Sequence, residues 1–360
     1  MHTSIPGVID DVSAGWLSTA LSRPDRPVAV DTVESAVVGT GQTGSTYRLD
    51  VTYGDDAEHG LPSSFAVTLP SVDPDVRERV ALGYRSEHTF YTRVADTVAV
   101  PVPRCHHIDI ARDGADFVLL MDDLAPAEQG DQIRGCTRDE AVLAAQALAG
   151  LHGPRWCDPA WDALPGIVLG RPDRDGAQGL ADVVGIAVDT TVDRLGDRLD
   201  DADVVTLRAV TPAIAPWLLA EPSRFSVLHG DYRLDNLMFT PDRSSVTVVD
   251  WQTLAVGLPA RDLAYFVATS VEPDARADIE DDAVRAYHDG LLRHGVVDHS
   301  LEECRRDHRL AMLQIPVITT LGFAFSAATD RGDEMAAAML TRGCAAIRDH
   351  GTLDLVAALT

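Results

Sequence analysis

Polar and apolar residues alternate along much of the N-terminal part of the chain, which is the pattern of half-buried strands. From Asp75 to Asp96 the apolar residues instead recur every three or four positions, which predicts a helix. A shorter helix is predicted over residues 10–21 by the same spacing. The predicted strands cover residues 28–38, 45–53, 64–69 and 117–121. Glycines separate the first two strands, so we expect them to form a hairpin with a glycine-rich loop.

The rest of the chain has mainly helical patterns. Thr137 and Glu140 occupy the two key positions of a capping box, which marks the start of a helix. Residues 157–223 contain several prolines and glycines and are expected to be less regular. The most apolar run, residues 310–328, is interrupted by polar residues and a proline, so it predicts a buried helix and not a membrane span. Helices are predicted over residues 137–152, 181–199 and most of 280–359.

The stretch from His229 to Asn236 has the most specific residue pattern in the sequence. Short strands are predicted over residues 225–228, 237–239 and 246–249, and Asp250 ends the last of them. In phosphoryl transfer, an aspartate placed like Asp231 orients and deprotonates the attacking hydroxyl, while a later Asn and Asp hold magnesium. The structural alternative is a simple turn with Asp250 capping a strand. The register of all the parts favours a catalytic loop.

Composition excludes two classes of partner. The chain has 56 acidic and 30 basic residues and a net charge of −26, and every basic residue is Arg because the sequence contains no Lys. This charge repels nucleic acids and anionic membranes. The five cysteines are widely spaced, and the N-terminus lacks the basic and apolar segments of a signal peptide. We therefore expect a cytoplasmic protein with reduced thiols, and the sequence leaves its oligomeric state open. The adjacent His106 and His107 are expected at the surface.

The order of these motifs resembles that of the aminoglycoside phosphotransferase and choline kinase superfamily. The motifs occur along the chain in the same order as in that superfamily. They are the glycine-rich hairpin, the helix with Glu87, the hinge strand, the His-Gly-Asp loop and the Gly-x-Pro-x-x-Asp-Leu-Ala segment. The likeness covers about residues 36–270. The segments most similar to the ecdysteroid-kinase-like branch are residues 87–91, 232–236 and 261–266. The resemblance implies an α+β, protein-kinase-like bilobal fold. A small antiparallel-sheet N-lobe would span residues 1–121, and a larger, mostly helical C-lobe would span residues 122–360.

The resemblance also implies an activity, which is transfer of the γ-phosphate of ATP to a hydroxyl of a small molecule with Mg²⁺. Asp231 would be the catalytic base, and Asn236 and Asp250 the magnesium ligands. Asp262 would anchor the catalytic loop, which His229 would brace. The implied nucleotide contacts are Gly39, Gly41 and Gly44 at the phosphates, and the backbone from Met121 to Asp123 at the adenine.

The sequence departs from this family at Thr68, where related kinases carry a lysine that contacts the α- and β-phosphates and pairs with the helix glutamate. A threonine hydroxyl has no charge, so the nucleotide loses one charged contact and Glu87 loses its partner. Arg48 lies on the same side of its strand as Thr46 and could approach the phosphates or Glu87. Alternatively, Arg48 has a structural or solvent-facing role, and Glu87 is a polar residue on a solvated helix face.

Two other functions stay open at this stage. A kinase fold without its lysine could bind nucleotide or another ligand without transferring phosphate, which is the reading that Thr68 favours. A third alternative is an enzyme that uses Asp231 as a base without ATP. The presence of both Asn236 and Asp250 argues against it, because a site without nucleotide needs no such pair.

Overall fold

The strands predicted in the N-terminal third form an antiparallel sheet in a computed structural model, which describes residues 4–40, 44–54 and 60–359. For Gly39 and Thr40 only the backbone is described. The chain divides into two units. Unit 1 contains the described residues up to 96 together with 102–126 and 250–252, and unit 2 contains 97–101, 127–249 and 253–359. The expected α+β class, with a sheet-containing first part and a mostly helical second part, is confirmed.

Unit 1 is built on a five-stranded antiparallel sheet. Its elements are helix α1 (Ala14–Leu21), strands β1 (Val30–Thr40), β2 (Gly44–Tyr53) and β3 (Ser64–Pro70), helix α2 (Pro74–Thr89), and strands β4 (Cys105–Ala111) and β5 (Asp116–Asp122). The strands lie in the order β1-β2-β3-β5-β4. Thr68 on β3 lies opposite Thr46 on β2 and Leu119 on β5, so it occupies the middle of the sheet.

Both faces of β5 are buried, which explains why its sequence is apolar without alternation. Val118 and Leu120 pack with the core that includes α1, whereas Phe117 and Leu119 pack with Tyr84 of α2 on the other face. The ring of Tyr84 stacks on that of Phe117, with centroids 4.9 Å apart. The sheet therefore positions α2, and with it Glu87, by apolar contacts on one face.

A three-residue segment, Asp250–Gln252, belongs to unit 1 although the chain on either side of it belongs to unit 2. The hydroxyl of Ser86 on α2 donates to the carbonyl of Trp251 at 2.9 Å. The Trp251 ring stacks on Phe90, with centroids 3.5 Å apart, and is completely buried. Burial of two stacked aromatic rings contributes several kcal/mol, on the order of 3 kcal/mol or more, so this segment is firmly held on unit 1.

Unit 2 is mostly helical. Its strands are β6 (Glu128–Gln129), β7 (Ser226–Leu228), β8 (Leu237–Phe239), β9 (Val246–Val248) and β10 (Ala255–Gly257). Its helices are α3 (Arg138–His152), α4 (Arg174–Leu195), α5 (Asp201–Val210), α6 (Ile214–Leu218), α7 (Ala260–Ser270), α8 (Pro273–Arg293), α9 (Leu301–Leu310), α10 (Gln314–Ala324), α11 (Asp330–His350) and α12 (Thr352–Ala357). The helices α4, α7, α10 and α11 contribute to one apolar core.

Two small sheets hold the region of unit 2 around the loop from His229 to Asn236. The strands β8 and β9 form the predicted hairpin, with β6 on the other side of β8, and β7 pairs with β10. The backbone N–H of Val248 donates to the carbonyl of Pro101 at 2.8 Å, so the short segment 97–101 also belongs to this unit. The loop between β7 and β8 is thus fixed at both ends by strand pairing.

Several predictions need correction. Residues 157–223 hold three helices, α4 to α6, where only one, over residues 181–199, was predicted. The helices α4 and α5 begin at the capping residues Asp173 and Asp200, and α6 follows a proline-containing turn. The predicted helix over 75–96 ends at Thr89 and continues as a π-helical turn. The expectation that His106 lies at the surface is wrong: its side chain is only 3% exposed and pairs with Asp122.

The five cysteines are free thiols. Within the described ranges, no helix is long and apolar enough to cross a membrane.

Candidate active site

Three side chains hold the carboxylate of Asp231 in unit 2. The hydroxyl of Tyr265 donates to Oδ1 at 2.9 Å. Nε of Arg233 donates to Oδ2 at 3.0 Å, and the amide nitrogen of Asn236 lies 3.3 Å from the same oxygen. Each carboxylate oxygen has two lone pairs and can accept two hydrogen bonds. Oδ2 has two donors, whereas Oδ1 has one. Among these contacts, Oδ1 therefore keeps an acceptor position for a substrate hydroxyl.

Burial sets the charge state of the groups around Asp231. Burial first, and the charge of Asp231 second, raise the pKa of Tyr265 well above its ordinary value, so the phenol keeps its proton and donates it. Burial opposes the charge of Arg233, but Asp231 and Asp235 outweigh that effect and raise the pKa of the guanidinium. Tyr265 of α7 therefore presents a fixed donor, and Arg233 of the loop a fixed cation, to one carboxylate.

Asp262 anchors the loop from His229 to Asn236, and this structural part of the role that the resemblance implied is confirmed. Its carboxylate is fully buried and accepts the backbone N–H of His229 at 2.7 Å and that of Gly230 at 3.0 Å. Nε2 of His152 lies 3.3 Å from Oδ2, and its Nδ1 lies 2.8 Å from the hydroxyl of Tyr287. His229 in turn donates from Nε2 to the carbonyl of Val249 at 3.1 Å. The loop is thus held by charge-assisted hydrogen bonds that are closed to water.

Gly230 has a conformation and a location that exclude any other residue. Its φ is +86°, and a Cβ there would lie 2.1 Å from the carbonyl oxygen of Thr253. Only glycine adopts this backbone without strain and permits so close an approach. The glycine of the His-Gly-Asp sequence is therefore required by the turn that follows β7.

The amide group of Asn236 is oriented by the same loop. Its nitrogen donates to the carbonyl of Asp231 at 2.9 Å, which leaves the side-chain oxygen as the atom that it can offer to a cation. The carbonyl of Asn236 accepts the N–H of Val249 at 3.0 Å, immediately before Asp250. Asp250 itself has φ of +67°, a left-handed conformation that is uncommon for a residue with a side chain. Such strain is concentrated at functional sites.

Glu87 and Asp250 lie near each other in unit 1. Glu87 is 4% exposed and accepts a hydrogen bond from the side-chain amide of Gln252 at 3.3 Å. Burial, and secondly the negative charge of Asp250, raise the pKa of Glu87. Glu87 is therefore buried and not part of a solvated helix face. Thr68 has a neutral partner, because its hydroxyl lies 3.1 Å from that of Thr46.

Arg48 pairs with the hinge carboxylate. Its guanidinium donates to both oxygens of Asp123, at 2.7 and 3.1 Å, and the hydroxyl of Ser64 donates to Asp123 at 2.8 Å. Although burial opposes it, these donors hold the pKa of Asp123 below its usual value. This is the structural alternative that the sequence left open for Arg48. Met121 is paired on both sides, opposite Ala66 and Cys105.

The glycine-rich hairpin is described in part. Gly39 lies on β1 opposite Thr46, with a register shift beside it. Gly41 lies outside the described residues. A Cβ at Gly44 would lie 2.4 Å from the carbonyl oxygen of Leu69, so this glycine is required for the close approach of β2 and β3. The need for a glycine at this position is thus explained by packing alone.

Sequence reasoning missed Tyr265, Arg233 and Gln132. Tyr265 could have been found, because it lies three residues after Asp262 on one helix and therefore shares its face. Gln132 is fully buried and accepts the N–H of Leu234 at 2.8 Å, and its amide donates to the carbonyl of Thr269 at 2.8 Å. No sequence signal marks Gln132, since its partners lie more than 100 positions away.

Solved structures resemble this fold at low sequence identity. A Ralstonia eutropha protein assigned to the aminoglycoside phosphotransferases matches with a TM-score of 0.53 and 16% identity, covering 93% of this chain and 97% of that one. An ethanolamine kinase from Plasmodium vivax matches with a TM-score of 0.51 and 12% identity, covering 92% and 85%. These likenesses show the fold, and they confirm the kinase-like bilobal architecture.

Curated relatives match only locally. Mouse acyl-CoA dehydrogenase family member 10 is 43% identical over 51 residues, which are 14% of this chain and 5% of that protein. The chain spans no more than 10% of the length of the curated relatives that it matches. A family model, by contrast, matches residues 45–296, well over half of the chain. The chain therefore belongs to the phosphotransferase enzyme family.

Proposed function

We propose that this protein is a small-molecule kinase that transfers the γ-phosphate of ATP to a hydroxyl group, with Asp231 as the base. The observation that carries the proposal is the arrangement around Asp231, whose Oδ2 has two donors while Oδ1 has only the hydroxyl of Tyr265. A base must be oriented by its neighbours and still reach the proton that it removes. Asp231 meets both requirements, since Oδ1 keeps an acceptor position.

Asn236 and Asp250 are proposed to hold Mg²⁺. An amide oxygen and a carboxylate are the hard oxygen donors that magnesium prefers. The residues fit such an ion, because the mutual repulsion of Glu87 and Asp250 would be relieved by a nearby divalent charge. Magnesium, when bound, neutralises the negative charge of the nucleotide phosphates. Asn236 contributes its oxygen because its nitrogen is committed to the carbonyl of Asp231.

The nucleotide contacts are likewise proposals. Gly39, Gly41 and Gly44 would cover the phosphates. The backbone of Met121 is already paired within the sheet, so the adenine contact proposed for this segment would fall to Asp123. Arg48 supports this hinge indirectly by orienting Asp123, while Thr68 and Glu87 border the phosphate region in the related kinases. Assignment to the ecdysteroid-kinase-like branch and a cytoplasmic location stay predictions.

Thermal unfolding with ATP and magnesium tests the proposal first. A ligand at one hundred times its dissociation constant stabilises the folded state by about 2.7 kcal/mol, so millimolar ATP with magnesium is expected to raise the melting temperature. Magnesium alone and ATP with a chelator are the controls. Absence of any shift at millimolar ATP would contradict the kinase proposal. A shift without turnover against a panel of alcohols and amino alcohols would favour a ligand-binding protein.

Substitution Thr68→Lys is expected to raise ATP affinity or turnover by about ten- to a hundredfold. The lysine would add a charged hydrogen bond to the nucleotide phosphates, which contributes about 1.5–3 kcal/mol. It would also restore a cationic partner to Glu87, which now meets the neutral amide of Gln252. Steady-state kinetics and ATP binding at saturating magnesium are the measurements.

Glu87→Ala completes a double-mutant cycle with Thr68→Lys. Alone, Glu87→Ala should cost little turnover, whereas in the lysine background it should remove most of the gain. Arg48→Ala is the comparison variant. Because Arg48 is engaged by Asp123, its loss should change nucleotide binding only a few-fold. If Thr68→Lys is inert and Arg48→Ala abolishes activity, the phosphate contact belongs to Arg48.

A further inference from the structure

A cluster of two imidazoles and a carboxylate lies in unit 2, among residues that the proposed reaction does not use. Glu280 of α8, His308 of α9 and His350 at the end of α11 converge, and we name them the Glu-His-His cluster. Nε2 of His308 and Nε2 of His350 each lie 2.8 Å from the same oxygen, Oε1 of Glu280. The three candidate ligand atoms all lie within 4.8 Å of one another.

Hydrogen bonding explains only one of these two contacts. His308 is aligned to donate from Nε2 to Glu280. Nε2 of His350 is buried and lies at the same distance from Oε1, but this ion-pair contact is poorly aligned for a hydrogen bond. A poorly aligned contact satisfies a buried polar group less well than a full hydrogen bond. The contact with Glu280 therefore explains the position of this nitrogen only in part.

The donor set and its spacing suit a transition-metal ion. Imidazole nitrogens and one carboxylate oxygen form a common three-ligand set for Zn²⁺, with bonds of about 2.0–2.2 Å. Tetrahedral bonds of that length place ligand atoms about 3.3 Å apart. The observed 2.8 Å separations need to open by only a few tenths of an ångström. Side-chain rotation alone provides such a movement.

The surrounding charges are nearly balanced, which argues against hard cations. Arg276 pairs with Asp349 and lies 3.7 Å from the cluster carboxylate, and Arg305 pairs with Asp281. Arg309 donates to the carbonyl of His350 at 3.0 Å. Three guanidinium groups nearby disfavour Mg²⁺ or Ca²⁺, which are bound mainly by negative charge. The same guanidinium groups disfavour less strongly a transition-metal ion that is bound by imidazole nitrogens.

We propose that the Glu-His-His cluster is a binding site for a divalent transition-metal ion of the zinc type, distinct from the proposed magnesium site. The cluster lines a pocket of about 320 Å³, together with Arg305 and Arg309. Three protein ligands leave the fourth position open to this pocket. The arginines make that position suitable for a hydroxide or another small anion.

The ion would link three helices that are separate in sequence. Since α8, α9 and α11 each supply one ligand, occupancy stabilises their packing and raises the melting temperature with zinc concentration. Nδ1 of His308 is buried with no hydrogen-bond partner, so the usual outer hydrogen bond of a ligating histidine is missing there. Such outer hydrogen bonds raise metal affinity by about ten- to a hundredfold. Without one at His308, the site should bind zinc exchangeably and not irreversibly.

The test titrates the full chain with zinc after treatment with a chelator. Millimolar magnesium is kept present so that it occupies the proposed site at Asn236 and Asp250. Zinc binding then reports on the Glu-His-His cluster. Calorimetry gives the stoichiometry, and visible absorption of the cobalt form reports nitrogen and oxygen ligands around the metal. The variant is His350→Gln, because this residue ends a helix and is the most exposed member of the cluster. His294→Gln, an exposed histidine that ends α8, is the matched control.

The expected result is one zinc equivalent per chain, weakened about tenfold or more by His350→Gln and unchanged by His294→Gln. The melting temperature should rise with zinc in the parent protein and the control, but not in His350→Gln. Two outcomes would overturn the proposal. One is no saturable binding at micromolar zinc, and the other is equal zinc affinity in the parent protein and His350→Gln. Magnesium-dependent phosphotransfer is measured separately, so its presence or absence leaves this result unaffected.

Discussion

Asp231→Ala is expected to lower turnover by about 10²- to 10⁴-fold, the usual contribution of a general base, while ATP affinity changes only a few-fold. The reason is local. Oδ1 of Asp231 accepts one hydrogen bond, from Tyr265, and keeps a position for the proton of the acceptor hydroxyl. Alanine removes that acceptor but leaves the loop backbone, which is fixed by Asp262, in place. Steady-state kinetics at saturating ATP give the effect.

The control is Asp231→Asn, which keeps the size of the side chain and one oxygen but cannot accept a proton at neutral pH. It should be as inactive as the alanine variant, and both should melt near the parent temperature. Nucleotide binding, measured by thermal shift with magnesium, should persist in both variants. Retained turnover in Asp231→Ala would reject the assigned base.

Asp262→Asn is expected to lower the free energy of unfolding by about 3–5 kcal/mol, the usual cost of breaking a buried charged network. The carboxylate accepts from the N–H groups of His229 and Gly230 and lies beside His152, in complete burial. An amide of the same shape offers one oxygen and an NH₂ group, so at least one N–H would face another donor. Urea unfolding of both proteins measures the difference.

A surface variant separates this effect from the loss of one negative charge. Asp278 is an exposed residue of α8, and Asp278→Asn should change stability by less than about 0.5 kcal/mol. Asp262→Asn should also lose activity, because the turn at Gly230 positions Asp231. A stability change below about 1 kcal/mol for Asp262→Asn would show that the loop does not depend on its charge.

The hairpin and loop that carry Asp231 and Asn236 were predictable because their residues are close in sequence. Asp231, Asn236 and the β8–β9 hairpin lie within one short stretch, where strand patterns fix the register. The long-range partners were not predictable in the same way. The sequence placed Arg48 on the same side of its strand as Thr46, but its partner Asp123 is 75 positions away.

Composition misled the prediction where local signals conflicted. Residues 157–223 carry many helix-breaking residues, and the helix predicted over 181–199 begins earlier, at Arg174, because Asp173 caps it. The strand β4 was not among the predicted strands, and His106 was expected at the surface, whereas its ring packs edge-on against Phe65 and pairs with Asp122. Tertiary contacts outweigh intrinsic propensity in both cases.

The segment Asp250–Gln252 determines the order in which the protein can fold. Ser86 and Trp251 are 165 positions apart, so closing that loop from an open chain costs about 4.5 kcal/mol in chain entropy. The first 126 residues leave the ribosome without Trp251, and the ring of Phe90 has no stacking partner until the segment arrives.

Unit 2 shortens this loop before unit 1 is complete. Its hydrogen bond from Val248 to Pro101 brings together two points of the chain that adjoin the ends of unit 1, at Asp96 and Asp250. Once unit 2 has folded, Val248 is held at Pro101, and these two residues lie near Trp251 and Phe90, respectively, in the chain. Most of the entropy cost of closing the loop has then already been met. Final closure of the N-terminal sheet unit therefore has to wait until residues 250–252 have been synthesised.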